Sequence, residues 1–522
     1  MRRVITILTF ALLGTIVAQG QIKIGGNVYG GGNQGVVNGS TKVTVKSGDI
    51  GAILDPAAVR PLEDPKGKVF GGARMANVGG NTFVHIDGKS EPVGETPNYI
   101  LINQVFGGND IAGNVGTAAA VKEDIPAELE AVKSSMPSPL PVGETEEYYN
   151  EVDNTFNSYV RVSTKVTDEH YTEEEIRLAS SDPDNPAFGK STTDVKPAPD
   201  ARKVYIGQLF AGGNGDYDYE QTPSPNPGKV IHTIYDKKDK NHLNPVAQLE
   251  TPEGDVGFHF PELDKTYLEI KGGSIVYGYG GGNSSTIKET NIIHYDNPSA
   301  VVNHIKVDAN GLLNENGTDL LTTERFKEMG INTTFSQPSS GAYQVGRFFG
   351  GNNLAEMNIR PTWNLLSGKI RNLYSGGNRG AMTSPDGLLL EIMGYSTLIV
   401  DNLYGGCRMA DVMPTVNGVY VPCSNLPGYK FPNELSARTL VRGGHINNVY
   451  GGNDVTGTVY GGNAVGIYAT VYGDVYGGGN GNYPYTDSQG MADDDTYGDF
   501  YYETSGGTTS TEALSAFRPN AE

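Results

Sequence analysis

Cysteine is scarce in this 522-residue chain: only Cys407 and Cys423 occur. That excludes a scaffold built on a disulfide framework. In an oxidising compartment the pair could close one local loop, worth about 3 kcal/mol; two free thiols are the alternative. Tryptophan is scarcer still, leaving Trp363 as the sole indole platform for a sugar ring. Positive charge is in deficit, with 39 Lys and Arg against 60 Asp and Glu and a formal charge of −21. Without a basic face for phosphate, nucleic acid is not an expected partner. No apolar run after the N-terminus is long enough to cross a bilayer, so no transmembrane span is expected. Catalytic signatures are missing too. There is no G-x-S-x-G elbow and no C-x-x-C, and the histidines are scattered without a helical metal pair.

The start is different in kind. Arg2 and Arg3 precede an apolar run from Val4 to Val17, and Ala18-Gln19-Gly20 supplies small residues before Gln21. These are the three parts of a secretory signal, so residues 1–20 are expected to be a signal peptide and the protein to be exported.

Glycine is abundant, with 71 residues, and it recurs in one phrase. VYGGGN stands at both 28–33 and 475–480. Related forms are VFGG at 69–72 and 105–108, LFAGGN at 209–214, FFGGN at 348–352, LYSGGN at 373–378, LYGG at 403–406, and VYGGN at 449–453 and 459–463. Segments such as TKVTVKSGDI and NTFVHIDG lie between them, and their period-two alternation of β-branched residues reads as strand. The residues after each phrase match in order across two blocks, 28–220 and 373–487: GGNQG with GGNRG, GGARMANV with GGCRMADV, GGNDIAGNV with GGNDVTGTV, and AGGNGDYDYE with GGGNGNYPYTD.

Short strands separated by glycine corners at a repeating interval are expected to form an all-β fold, a single-stranded parallel β-helix (solenoid) with irregular, partly helical insertions. Equivalent residues of successive coils would stand about 4.8 Å apart. Glycine allows close backbone approach at such a corner, and asparagine amides can pair up the stack. A structural ladder is therefore expected of Tyr29, Phe70, Phe106, Phe210, Tyr277, Phe349, Tyr374, Tyr404, Tyr450, Tyr460 and Tyr476. Beside it would run Asn33, Asn109, Asn214, Asn283, Asn378, Asn453, Asn463 and Asn480. The step from 451 to 461 is too short for a coil, so two corners of one coil are expected to share this chemistry.

By this reading β-helix coils occupy residues 21–120, 201–220, 263–290 and 346–482. Between them lie an acidic insertion at 121–200, a loop insertion at 221–262 and a further insertion at 291–345, and an acidic Tyr/Gly-rich tail at 483–522 is expected to pack poorly. Helix-compatible stretches are KEDIPAELEAVK, TEEEIRLA and TTERFKEMG.

The VYGGGN phrases and the GG-x-I-x-x-VYGGN grammar resemble Gly-rich repeat proteins exported by Gram-negative bacteria of gut and mouth. That resemblance covers most of residues 24–120, 203–214, 268–283 and 346–482. It implies a right-handed parallel β-helix of the pectin-lyase-like or adhesin-like type at the cell surface.

Candidates for chemistry are few. Asp216, Asp218 and Glu220 alternate along one strand, an arrangement that a hard cation such as Ca²⁺ could neutralise, although a solvated acidic edge is the plainer reading. No other cofactor is expected. Arg74 and Arg408, in the repeated tetrads RMAN and RMAD, and Asp110 and Asp454, each after GGN, read either as duplicated binding residues or as corner variants. The functional expectation is a surface or adhesion protein that contacts a polysaccharide or a host or matrix surface without catalysis. The alternative is a polysaccharide lyase or glycoside hydrolase whose carboxylates come from separate coils.

Overall fold

Alternation in sequence becomes alternation in space. In Thr41–Val45, Pro361–Ser367 and Leu388–Ile392 every second residue is buried, as a sheet with one packed face requires. The structure is a computed structural model. It describes residues 22–52, 66–89, 99–116, 156–182, 185, 187–188, 190–198, 203–237, 239, 241–254, 260–297, 313–315, 318–321, 344–421, 423, 435–481 and 520–521.

The protein is nearly all β, and its main sheets are parallel. The largest has 12 strands. Its main path runs Lys23–Ile24, Gly48–Ile50, Tyr99–Phe106, Lys203–Phe210, Ser274–Tyr279, Val345–Phe349, Lys369–Tyr374, Ile399–Tyr404, His445–Tyr450 and Val475–Tyr476. Val28–Tyr29 and Lys68–Phe70 join it alongside Tyr99–Phe106. A second, six-stranded sheet orders Thr41–Val45, Thr82–Gly88, Ser158–Thr164, Glu262–Lys271, Thr286–Asp296 and Pro361–Ser367. Leu388–Ile392, Ala437–Val441 and Asn463–Ile467 make a third parallel set. From Ser274 onward the chain shuttles, one strand in the large sheet and the next in the second or third. Isolated parallel bridges add another line of contact: Val37 to Val78 to Val115, and Met357 to Met382 to Val412 to Val459. The inner side chains of all three sheets, Val105, Leu209 and Leu403 from the first, Val84, Val160 and Leu268 from the second and Leu390 and Val441 from the third, merge into one apolar core.

The segments read as insertions contain more of this framework than their composition suggested. Ser158–Thr164, inside 121–200, pairs in register with both Thr82–Gly88 and Glu262–Lys271. Thr286–Asp296 crosses the expected boundary at 291 and pairs with Pro361–Ser367. TEEEIRLA does form a helix, Glu173–Ala179, opened by a capping box between Thr172 and Glu175. The other two helix-compatible stretches, residues 1–20 and nearly all of the tail lie outside the described residues. Residues 217–252 form an antiparallel meander of Tyr217–Pro223, Lys229–Asp236 and Pro245–Pro252. Among the described residues no helix is long and apolar enough to cross a membrane.

Candidate functional site

The repeated phrase sits where the strands of the large sheet end. The residue before most of the rings points into the core, as Val69, Val105, Leu209, Phe348, Leu373, Leu403 and Val449 do. The ring itself joins a file on the other side: Tyr29, Phe70, Phe106, Phe210, Tyr279, Phe349, Tyr374, Tyr404, Tyr450 and Tyr476. Neighbouring centroids lie 4.5 to 5.0 Å apart with planes within 11° of parallel. Each contact adds about 0.5–1.5 kcal/mol beyond area burial. Two of the expected rings are elsewhere. Tyr279 takes the rung assigned to Tyr277, which lies two residues earlier and pairs in register with Gln208 and Arg347. Tyr460 packs against Tyr420, and its VYGGN phrase forms another corner of the same pass, leading at Asn463 into the strand Asn463–Ile467.

Glycine follows most rings because the next rung is so close. A Cβ on Gly71 would fall against the carbonyl of Gly107, and one on Gly405 against that of Gly451. Ala211 and Ser375 occupy the same position on two rungs, so the restriction is local rather than absolute.

Four residues after each ring a second file runs, made of Asn33, Arg74, Asp110, Asn214, Asn283, Asn353, Asn378, Arg408, Asp454 and Asn480. Arg74 Nη1 donates to Asn33 Oδ1 at 3.0 Å. Asn214 donates to Asp110, Asn283 to Asn214, Asn353 to Asn283 and Asn378 to Asn353, at 2.8–2.9 Å. Arg408 Nη1 then reaches Asn378 Oδ1 at 3.4 Å, and Asn480 Nδ2 reaches Asp454 Oδ1 at 2.9 Å. The four binding candidates are therefore rungs of this file, in the order Asn, Arg, Asp, Asn in each repeated block. Asp110 also accepts from Tyr29 and Tyr217, and Asp454 from Tyr374. Burial, then the charge of Asp110, pushes the Tyr29 and Tyr217 hydroxyls up, keeping both protonated as donors.

Asn109 and Asn453 stand one position earlier and point inward, away from that file. Asn109 accepts from the Ala73 amide and donates to the Ala76 and Gly113 carbonyls. Asn453 repeats this with the Cys407 amide and the Ala410 carbonyl, and Asn352 does so with Gly282, Ser285 and Glu356. They are buried clamps on the corner backbone. Asn463 belongs to neither group.

The acidic strand finds cations within the protein. Asp216 pairs with Lys237 at 3.2 Å, and His242 bridges Glu220 at 2.6 Å and Asp218 at 3.3 Å. Hydrogen bonds to Glu220 and Asp218 raise the His242 pKa. Among the described residues no group of three His, Cys, Asp or Glu side chains is placed to hold a metal ion. The cysteines are both free, so no disulfide joins them. Cys407 packs with Met382 and Leu388, Cys423 with Leu435. Burial pushes their thiols up to about 12 and about 11, far from the thiolate that reactivity requires.

One ionisable cluster escaped the sequence reading. On the face of the second sheet turned away from the core, strand pairing aligns His85, Arg161, Glu269, His294 and Asn364. Glu269 is fully buried, ion-paired to Arg161 Nε and accepting from Tyr159 Oη at 2.6 Å, with Lys271 Nζ at 3.4 Å. Burial pushes the Glu269 carboxyl up, but hydrogen bonding and charge from Arg161, then Lys271, outweigh it and hold the group at about 2. Burial lowers His294, so it stays neutral. An ionised, enclosed carboxylate and a neutral, enclosed imidazole do not make an accessible acid–base pair. The signal for them was an ionisable residue between two inward apolar ones, as in Val-Arg-Val, Leu-Glu-Ile and Ile-His-Tyr. Their meeting across more than a hundred residues had no local signature.

An open cleft of 380 Å³ lies beside the same sheet, lined by Phe156, Lys265, Glu289, Arg360, Thr362 and Asp386 among others. Its charges are of both signs, and Lys265 stands 3.9 Å from Glu289. Comparisons with family profiles, curated proteins and solved structures find no match to this chain.

Proposed function

We propose that this is an exported, cell-surface protein of the Gly-rich repeat type, whose passes close as coils of a single-stranded parallel β-helix. It works as a rigid structural or adhesion-type element that presents a binding surface and performs no catalysis. The observation that carries this reading is where the reactive side chains go. Arg74, Asp110, Arg408 and Asp454 are consumed by the hydrogen-bonded file, and Glu269 by its ion pair. The shuttling of the chain between parallel sheets, with rings and amides in register, supports the solenoid. The cleft around Phe156, Lys265, Glu289 and Arg360 offers an aromatic edge and charges of both signs, which suits a polysaccharide or a glycosylated host or matrix surface.

A glycan and matrix-protein binding screen tests it. The expected result is binding that Arg360→Ala weakens about tenfold, with no cleavage of the bound polymer. The enzyme alternative keeps one point in its favour, the alignment of Arg161, Glu269 and His294 on one face of the second sheet. Release of unsaturated or reducing ends from an acidic polysaccharide, lost in Glu269→Gln, would replace the adhesion reading with the lyase or hydrolase one.

A further inference from the structure

The first and last rungs of the file carry the same six residues, VYGGGN, at 28–33 and 475–480. In the interior, the first and second glycines after a ring are crowded by the rung that follows. Cβ atoms on Gly71 and Gly72 would strike Gly107 and Asn109, and on Gly405 and Gly406 would strike Gly451 and Asn453. At Gly477 and Gly478 a Cβ would meet nothing within 4 Å among the described residues, and neither glycine has positive φ. Nothing in the described structure requires glycine there. The rung is built for a successor that the chain's own described strands do not supply.

The two ends are complementary in hydrogen bonding. Along the file the first glycine amide donates to the next ring's carbonyl and the second to the next rung's second glycine: Gly30 to Phe70 and Gly31 to Gly72, and so on to Gly451 with Tyr476 and Gly452 with Gly478. By that pattern the last rung presents the amides of Gly477 and Gly478, and the first presents the carbonyls of Tyr29 and Gly31. The side chains match as well. Asn480 donates through Nδ2 and keeps its Oδ1, whereas Asn33 accepts at Oδ1 and keeps its Nδ2. Val475 and Tyr476 are each 46% exposed, and Tyr468 and Tyr472 beside them more so; Ile22 and Val36 are exposed at the opposite end. Such an unpaired, apolar sheet edge is a template for another strand.

We propose that the last rung of one copy receives the first rung of a second, so that rings, amides and backbone pairing continue across the junction. Repeated head to tail, this heterologous contact gives an open linear assembly rather than a closed dimer. The proposal goes beyond surface presentation and does not depend on any carbohydrate ligand.

Sedimentation velocity and electron microscopy on the chain from Gln21 to Glu522 test it. The expected result is concentration-dependent species of one, two, three and more chain masses, seen as end-to-end rods. Gly477→Val and Gly478→Val, which meet no other described residue within 4 Å, should abolish the higher-mass species while circular dichroism and the urea midpoint stay unchanged. A monomer at every concentration overturns the proposal, as do valine variants that assemble like the wild type. Residues 520–521 pair with Thr458 and Val459 on the flank of this end. Assembly seen only after removal of residues 482–522 would therefore also overturn it, assigning the open rung to the chain's own tail.

Discussion

Glu269 keeps its charge in the interior because Arg161 lies against it, with Tyr159 donating a further hydrogen bond. Breaking such a pair from one side strands a buried charge, so Glu269→Gln should cost about 3–5 kcal/mol in urea unfolding, whereas the joint change Arg161→Met with Glu269→Leu should recover most of it. The carboxyl is held at about 2, below its unfolded value near 4.3. Its contribution is therefore complete above that unfolded value and is lost as pH falls towards about 2. Glu269→Gln should flatten this acid limb of the stability curve; an unchanged limb would mean that Glu269 is not the group responsible. Asn283 tests the amide file in the same way. It donates to Asn214 and accepts from Asn353, so Asn283→Leu leaves two amide groups unmatched and should cost about 1–3 kcal/mol. A loss below about 0.5 kcal/mol would show that the file adds nothing. At this scale most of the rings and the glycines were legible from the phrase that carries them, whereas Tyr277 and Tyr460 do not take the rungs expected of them. Arg74, Asp110, Arg408 and Asp454 kept two readings, because a charge does not announce its partner. The clamping asparagines Asn109 and Asn453 could not be told from those of the file, a distinction set by a single position along the chain.

The meander of Tyr217–Pro223, Lys229–Asp236 and Pro245–Pro252 is tied to the repeat by Arg74, whose Nη2 donates to the Val246 carbonyl, and by packing of Tyr217 and Ile234 on Met75 and Ile111. Its own electrostatic clasp is His242 between Asp218 and Glu220. Because these carboxylates raise the His242 pKa, the clasp is fully formed below the ordinary histidine value near 6.5 and is lost as pH rises through the raised one. A histidine NMR titration should place His242 above its ordinary range and return it there in Glu220→Gln; a midpoint unmoved by that substitution would contradict the contact. Element boundaries were the hardest part to read. Ser158–Thr164 and Thr286–Asp296 are framework strands flanked by acidic and proline-rich sequence, and composition averaged over such a stretch hides a strand of seven or eleven residues. The TEEEIRLA helix was visible because its cap is local.

For the whole molecule, the claim beneath everything else is that residues far apart in sequence are brought to one spacing by a repeating path. The order of the two blocks made that path legible, and the inward and outward alternation in VYGG-type phrases placed the rings. The ionised face of the second sheet, and the lack of a further described strand beside the last rung, were not legible, since both depend on which strand lies beside which. An experimentally determined structure of the chain tests this claim most directly. The account predicts Tyr29, Phe70, Phe106, Phe210, Tyr279, Phe349, Tyr374, Tyr404, Tyr450 and Tyr476 in one file with centroids 4.5 to 5.0 Å apart. Those rings scattered over separate surfaces, or strands pairing antiparallel at Phe70, Tyr374 and Tyr404, would contradict it.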